Sequence, residues 1–285
     1  MGMNDTSLPA EPADASGEPA KKKEGSFLRF VLTLIVLSWA IRSFLFSAFY
    51  IPTGSMVPTL YIGDYLFVSK WPYGYSRYSF PLQFPSYDGR VLSRLPKRGD
   101  VVVFHHPVDD ADLIKRVIGL PGDSIEVREG QLVLNGNVLP KQPIRDAQVR
   151  VSPNSPCRKV TSEGATFTTP RDGACAYPAF IETLPGGPSY TVLDQTDEFP
   201  GDNFAPTIVP DGSIFVMGDN RDDSMDSRFQ PAEGGVGLLP IENLIGRATI
   251  TFWSTDGSAS YWKPWTWFTA LRGRRIGNGF TGSPE

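Results

Sequence analysis

Histidine is almost missing from this chain: it occurs twice in 285 residues, as the neighbours His105 and His106. Cysteine is as scarce, with Cys157 and Cys175 alone, no CxxC pair and no Cys/His cluster. A zinc site of ordinary ligand spacing is therefore excluded, and neither a metal nor a cofactor is expected. Neighbouring strand residues point to opposite faces, so the two histidines do not chelate one ion together. GxxxxGK[ST] and HExxH are absent, which removes P-loop and zincin readings. Positive charge is not in excess either: 27 Lys and Arg stand against 31 Asp and Glu, a net charge of -4. Nucleic acid is not an expected partner. There is no internal repeat.

Turn formers are plentiful, with 28 Gly and 26 Pro, and 40% hydrophobic residues leave enough for a sizeable core. That balance favours short strands over long helices. Residues 1–26 are rich in Pro, Ala and charge and read as a disordered cytosolic tail. Residues 27–48 read as a membrane anchor. Its uninterrupted apolar core, Phe30 to Ile41, has 12 residues, short of the roughly 20 that a spanning helix needs. Arg42 meets that demand by snorkelling to the far interface. Ser38, Trp39 and Ala40 have the small-x-small form of a leader cleavage site. Apolar sequence nevertheless runs on to Ile51, as in a retained anchor. Lys21, Lys22, Lys23 and Arg29 put the tail in the cytosol and everything after Ile51 outside.

Beyond the anchor the pattern is β. The runs at 64–71, 100–107, 113–120, 213–217 and 247–253 are rich in β-branched and aromatic residues. "LPGD" (120–123) spells a type II turn, and "LVLNGNVL" (132–139) an Asn-Gly hairpin. "PIENLIG" (240–246) reads as one short helix. The expected fold is mainly β: a single N-terminal transmembrane helix, then a coiled or barrel-like antiparallel catalytic domain with a peripheral β-rich insertion. Its core occupies 49–139 and 211–260, the insertion 140–210, and a membrane-proximal tail 261–285, where aromatics give way to basic residues. Residues 72–98, full of Tyr, Phe and Pro, carry no motif. If the domain is exported, Cys157 and Cys175 form a disulfide closing a loop of roughly 19 residues, worth about 3 kcal/mol on the chain-entropy model. Otherwise they are two separate buried thiols.

Three segments carry candidate chemistry. In "YIPTGSMVPTL" (50–60), Ser55 is set between Pro52 and Pro58, where the chain leaves the anchor. A serine nucleophile needs a base. His105 or His106 would make a triad, but nothing in sequence pairs either with an acid, and both read as ordinary strand residues. Most lysines look solvated. Lys115 is flanked on its own strand face by Leu113 and Val117, while Ile114, Arg116 and Ile118 face the other way. An amine on an apolar face is desolvated, which lowers its pKa. This segment alone fits equally a lysine that snorkels to the strand edge. The third segment, "MGDNRDDSMDSR" (217–228), offers an Asp226–Arg228 ion pair and the Ser224 hydroxyl, which would hold an amine in place. Read alone it is also a structural turn, or a weak calcium loop with acids at 219, 222, 223 and 226, though the EF-hand spacing is absent.

Together, "IPTGSMVPTLYIGDYLFVSK", "RGDVVVFHHP…LIKRVIGLPGD" and "MGDNRDDSMDSR…IGRATITFW" resemble the boxes of bacterial type I signal peptidase, in the family's order, over about 28–135 and 211–253. The resemblance implies a Ser/Lys endopeptidase that removes signal peptides at Ala-x-Ala sites from exported preproteins. It assigns Ser55 as nucleophile, Lys115 as general base, Ser224 as the hydroxyl orienting the amine and Thr53 as an oxyanion-hole donor. Ile51, Met56, Leu60 and Ile114 match positions lining shallow pockets, and Asp226 with Arg228 the structural ion pair. It implies the bacterial inner membrane as location. The implied partners are preprotein signal peptides, the lipid bilayer and the Sec translocon. The family often has two anchors; one is seen here. A conjugation peptidase maturing a single pilin, or a silent β-domain binding export machinery, are the rival readings.

Overall fold

Short β-branched runs cut by Gly and Pro become strands in the computed structural model, which describes residue 2 and residues 24–161, 163–170, 172–260 and 262–280. Apart from Gly2 and residues 24–26, the expected tail lies outside the described residues, as do Lys21, Lys22 and Lys23.

The chain divides into two units, residues 1–39 and 40–285. In the first, helix α1 (Glu24–Ala40) begins an apolar run. Counting the π-helical turn Ile41–Leu45, the helical stretch Ser26–Leu45 has 20 residues and a mean hydropathy of 1.8, long and apolar enough to cross a membrane. Phe46, Ser47 and Ala48, expected within the anchor, already belong to a strand.

The second unit opens with β1 (Phe46–Tyr50), β2 (Asp64–Ser69), β3 (Val101–His105), β4 (Asp112–Gly119), β5 (Ser124–Arg128), β6 (Gln131–Leu134) and β7 (Asn137–Val138). Then come β8 (Lys141–Pro143), β9 (Ala147–Arg150), β10 (Cys157–Thr161), β11 (Gly164–Thr168), β12 (Ala174–Tyr177), β13 (Ala179–Thr183), β14 (Ser189–Leu193) and β15 (Phe204–Ile208). β16 (Ser213–Met217), β17 (Leu239–Pro240) and β18 (Leu244–Ser254) complete the set. A curled antiparallel sheet runs β1-β2-β18-β3-β4-β16-β17. The register shifts along β18 between Leu244 and Gly246, Ala248 and Ile250, and Thr251 and Trp253. Each such irregularity bends and twists the strand, which is how an 11-residue strand serves two neighbours around the curl. Gly246 is required at this crossing: a Cβ there would meet the Ser69 carbonyl oxygen at 2.3 Å.

The turn at 120–123 has its Asp123 N–H bonded to Leu120 O (3.0 Å) with Gly122 at φ +87°. Asn135 and Gly136 both take positive φ between β6 and β7, as an Asn-Gly hairpin requires. The helix expected at 240–246 is a correction. Only Ile241–Asn243 makes a single 3-10 turn, and Leu244 and Ile245 are claimed by β18, which buries both.

Residues 140–210 are bound into the domain. β15 joins β5 at the edge of the β5-β6-β7 sheet, and Leu193 of β14 donates to Asp219 O (2.8 Å). Cys157 and Cys175 are joined as a disulfide within an apolar cluster that includes Val57, Val149, Tyr177 and Leu193. The C-terminal stretch packs back as well. Arg275 grips Asp64 with two nitrogens, Thr251 and residues 277–278 exchange backbone bonds, and Phe280 is buried against Ile51 and Val101. Trp262, Trp265 and Phe268 stay exposed.

Candidate active site

Ser55 sits in the turn after β1. The turn is closed by Val57 N–H to Gly54 O (3.0 Å) and Leu60 N–H to Met56 O (2.8 Å), with Met56 and Leu60 fully buried beneath. The loop after β16 holds the turn from the other side. Asn220 donates its backbone N–H to Ser55 O (3.0 Å) and its side-chain amide to Gly54 O (3.2 Å). Gly218 lets the two segments meet, because a Cβ there would come within 2.3 Å of Ser224 Oγ and 2.5 Å of Ser55 O.

Lys115 extends from the middle of β4 and is 4% exposed. Its Nζ lies 2.7 Å from Ser55 Oγ and donates to it. Of the two readings open for this lysine, burial is the one realised. Burial holds its pKa down, from the usual 10.5 to about 8. The carboxylates of Asp226, Asp223 and Asp219 act the other way, and Arg228 adds to the lowering. About a tenth of such an amine is neutral at pH 7, roughly 300 times the share of an ordinary lysine. An amine in that state, in contact with a hydroxyl, can take its proton.

Ser224 lines the same cavity, but its hydroxyl donates to Asp226 Oδ2 (2.8 Å). Among the described residues no hydrogen bond joins Ser224 to Lys115; what its oxygen still offers is lone pairs. Asp226 is fully buried and takes Arg228 Nε (2.9 Å) and Nη2 (3.0 Å) on its two oxygens, with the Gly218 N–H as a further donor (3.0 Å). The four loop acids do not converge on one point. Asp219 goes to Arg116, Asp222 to the N–H groups of Gln195 and Thr196, Asp223 to Arg158 and Asp226 to Arg228.

Two buried ion pairs beneath the site were not expected. Arg116, next to Lys115 on β4, meets Asp219 through Nε–Oδ1 (2.8 Å) and Nη2–Oδ2 (2.7 Å), its guanidinium over the Tyr190 ring. Arg221 meets Glu182 of β13 in the same two-bond way, at 2.8 and 2.6 Å. The signal for Arg116 was there to be read: a second cation inside the run that made Lys115 interesting.

Thr53, Ser55, Lys115 and Ser224 share a cavity of about 530 Å³. The hairpin β10–β11 roofs it through Arg158, Val160 and Ala165, and Arg158 is ion-paired to Asp223. Ile51, Met56, Leu60 and Ile114 come together in one buried cluster, yet none of the four lines this cavity. Its apolar walls are Leu113, Val160, Ala165, Phe199, Pro200 and Met225.

The histidines do have acids, contrary to expectation. His105 Nδ1 is 3.0 Å from Asp112, its cross-strand partner on β4. His106 Nδ1 accepts from the N–H groups of Val108 and Asp109, so its Nε2 is the nitrogen that donates to Gly235 O (2.8 Å). Neither lines the Ser55 cavity.

The family model for signal peptidase, peptidase S26, matches residues 25–253. The chain belongs to that family. A signal peptidase I from Rickettsia felis is 34% identical over 257 residues, covering 85% of each chain. One from Rickettsia prowazekii is 35% identical over 249 residues, 84% of this chain and 83% of its own. A solved signal peptidase I structure from Enterococcus faecalis is similar over 54% of this chain and 97% of its own, at 23% identity and a TM-score of 0.28, too distant to inform the site. As a signal peptidase family member, the chain is a serine endopeptidase of signal-peptide processing.

Proposed function

We propose that the chain is a membrane-bound signal peptidase that cleaves Ala-x-Ala-type sites with a Ser55–Lys115 dyad. The observation carrying the reading is the 2.7 Å contact between Lys115 Nζ and Ser55 Oγ at a buried lysine. Neutral Lys115 accepts the Ser55 proton as Oγ attacks the scissile carbonyl. The Ser55 N–H and the Thr53 hydroxyl receive the developing oxyanion. Lys115 then protonates the leaving amine, and the acyl-serine is hydrolysed by water with Lys115 again as base. Ser224 presents its lone pairs to the ammonium, its proton being held by Asp226, which Arg228 fixes in turn.

The preference for small side chains before the scissile bond is carried by the family resemblance; Ile51, Met56, Leu60 and Ile114 pack into one buried cluster and none of them lines the cavity. The 20-residue apolar helix supports an anchor in the bacterial inner membrane. The basic residues before it support a cytosolic N-terminus and an extracytoplasmic catalytic domain. A substrate delivered in the same bilayer, from the Sec translocon, is met at high effective concentration.

The test is cleavage of a preprotein with an Ala-x-Ala site by the full chain in detergent. Ser55→Ala and Lys115→Ala are expected to abolish it, and His105→Ala to leave it intact. Turnover by Lys115→Ala at the wild-type rate would sink the dyad.

A further inference from the structure

Three carboxylates from separate stretches meet outside the Ser55–Lys115 contact. Asp194 follows β14, Asp202 ends the 3-10 turn Pro200–Asp202, and Asp222 lies in the 3-10 turn Arg221–Asp223. One oxygen from each lies within 4.8 Å of the other two. Asp202 and Asp222 are 1% and 3% exposed.

One oxygen of each buried acid is committed to backbone. Asp202 Oδ2 accepts from Phe199 N–H (2.9 Å), and Asp222 Oδ2 from the N–H groups of Gln195 (2.5 Å) and Thr196 (3.1 Å). The other oxygen of each, Asp202 Oδ1 and Asp222 Oδ1, is buried and has no hydrogen-bond partner. Buried carboxylate oxygens are ordinarily paired or coordinate a metal.

The neighbouring cations do not balance the cluster. Lys141 Nζ donates to Asp194 Oδ2 and to Gly130 O (2.9 Å), which accounts for Asp194. Arg228 is held by Asp226 and Arg221 by Glu182. Asp202 and Asp222 are left as two negative charges without a paired cation, in a dry place.

We propose that Asp194, Asp202 and Asp222 bind a hard divalent cation of the calcium or magnesium class, which ties the 194–202 segment to the loop carrying Ser224. An all-oxygen, carboxylate-rich donor set is what such ions take, water and carbonyl oxygens completing the shell. Two unbalanced charges match a divalent ion. Asp222, Phe199 and Pro200 also line the Ser55 cavity, which gives an ion a route in from solvent. Asp222 lies two residues before Ser224, so a bound ion would steady the loop that frames Lys115. The site stands independently of the dyad.

The experiment is titration of the EDTA-treated full chain in detergent with CaCl₂, MgCl₂ and MnCl₂, followed by calorimetry and thermal melting. The expected result is one saturable site per chain for at least one ion, with a Kd of roughly 10⁻⁵–10⁻³ M, as for weaker oxygen-ligand sites. The melting temperature rises with ion concentration. Asp202→Asn and Asp222→Asn should lose both effects, while Asp211→Asn, at an exposed acid, keeps them. Lys141→Met retains all three carboxylates and removes the competing ammonium, so it should tighten binding about tenfold or more. No saturable binding of any of the three ions overturns the site and assigns the cluster to a shared proton. Binding unchanged in Lys141→Met, or undiminished in both Asn variants, places the ion elsewhere and overturns it too.

Discussion

Arg116 and Asp219 form a two-bond ion pair, each 1% exposed, directly beside the lysine whose amine reaches Ser55. The pair fixes β4 against the loop after β16, the two elements that supply Lys115 and Ser224. Removing one partner leaves the other as an unpaired buried charge, which costs about 3–5 kcal/mol. Asp219→Ala is therefore expected to lower the urea midpoint severely. Arg116→Met with Asp219→Leu should recover much of that loss, because replacing both charges removes the desolvation penalty along with the attraction. A double variant no more stable than Asp219→Ala would mean that the pair's geometry, rather than its charge balance, holds these elements.

Lys115 sets the pH dependence of activity. With a pKa of about 8 in the folded chain, the neutral fraction and hence kcat/KM should rise tenfold per pH unit below that value and level off above it. A profile still climbing through pH 10 would show an amine in contact with bulk water.

The same shift bears on stability, with a definite sign. Between about 8 and 10.5 the unfolded chain binds a proton at Lys115 that the folded chain does not, so stability rises with pH across that window. Below about pH 8 the full penalty applies, on the order of 3 kcal/mol. Lys115→Met should then be inactive yet more stable than the parent at pH 7, with the advantage fading toward pH 10.5. Denaturant melts at pH 7 and pH 10 measure both ends, and equal gains at the two would rule out the titration account.

The hairpin β10–β11 hangs over the Ser55 cavity, tied at its base by the Cys157–Cys175 disulfide and near its start by Arg158 to Asp223. Cys157→Ala with Cys175→Ala releases one of these ties. The chain-entropy model expects a loss of about 3 kcal/mol. The hairpin forms a wall of the cleft and holds neither Ser55 nor Lys115. KM should therefore rise about tenfold while kcat changes little, the pattern of lost uniform binding. A fall in kcat at constant KM would instead tie the hairpin to the chemistry.

What could be read from the sequence was local. β-branched runs marked β2, β3, β4 and β16, and the Asn-Gly and Pro-Gly pairs marked their turns, because strand and turn preferences act over a few residues. Ser55 and Lys115 were legible because a polar residue among apolar neighbours is conspicuous. Partners far apart in sequence were not. Nothing in Glu182 names Arg221, 39 positions away, and a polar stretch such as 140–210 looks peripheral until the fold puts Glu182 and Tyr190 beneath the loop. The direction of the Ser224 hydroxyl was likewise hidden, since it depends on how Asp226 is held by Arg228. Phe280, a lone aromatic after the basic residues Arg272, Arg274 and Arg275, gave no periodic signal of its burial.

Gly218 provides the most local test of the site's assembly. The residue adopts no unusual φ, so alanine there is not strained by its backbone. The obstacle is space: the new methyl would overlap Ser224 Oγ and Cβ and the Ser55 carbonyl, all at 2.5 Å or less. Something must move, and what moves is either the nucleophile's turn or the loop that carries Ser224. A displacement on the order of 1 Å in a catalytic arrangement costs about a hundredfold in rate. Gly218→Ala should accordingly lose about two orders of magnitude in kcat while remaining folded. The lost activity should not return at high pH, because the defect is positional and deprotonating Lys115 does not mend it. Recovery of the wild-type rate at pH 9 would mean that the methyl acts through the lysine's pKa and that Ser55 had kept its place.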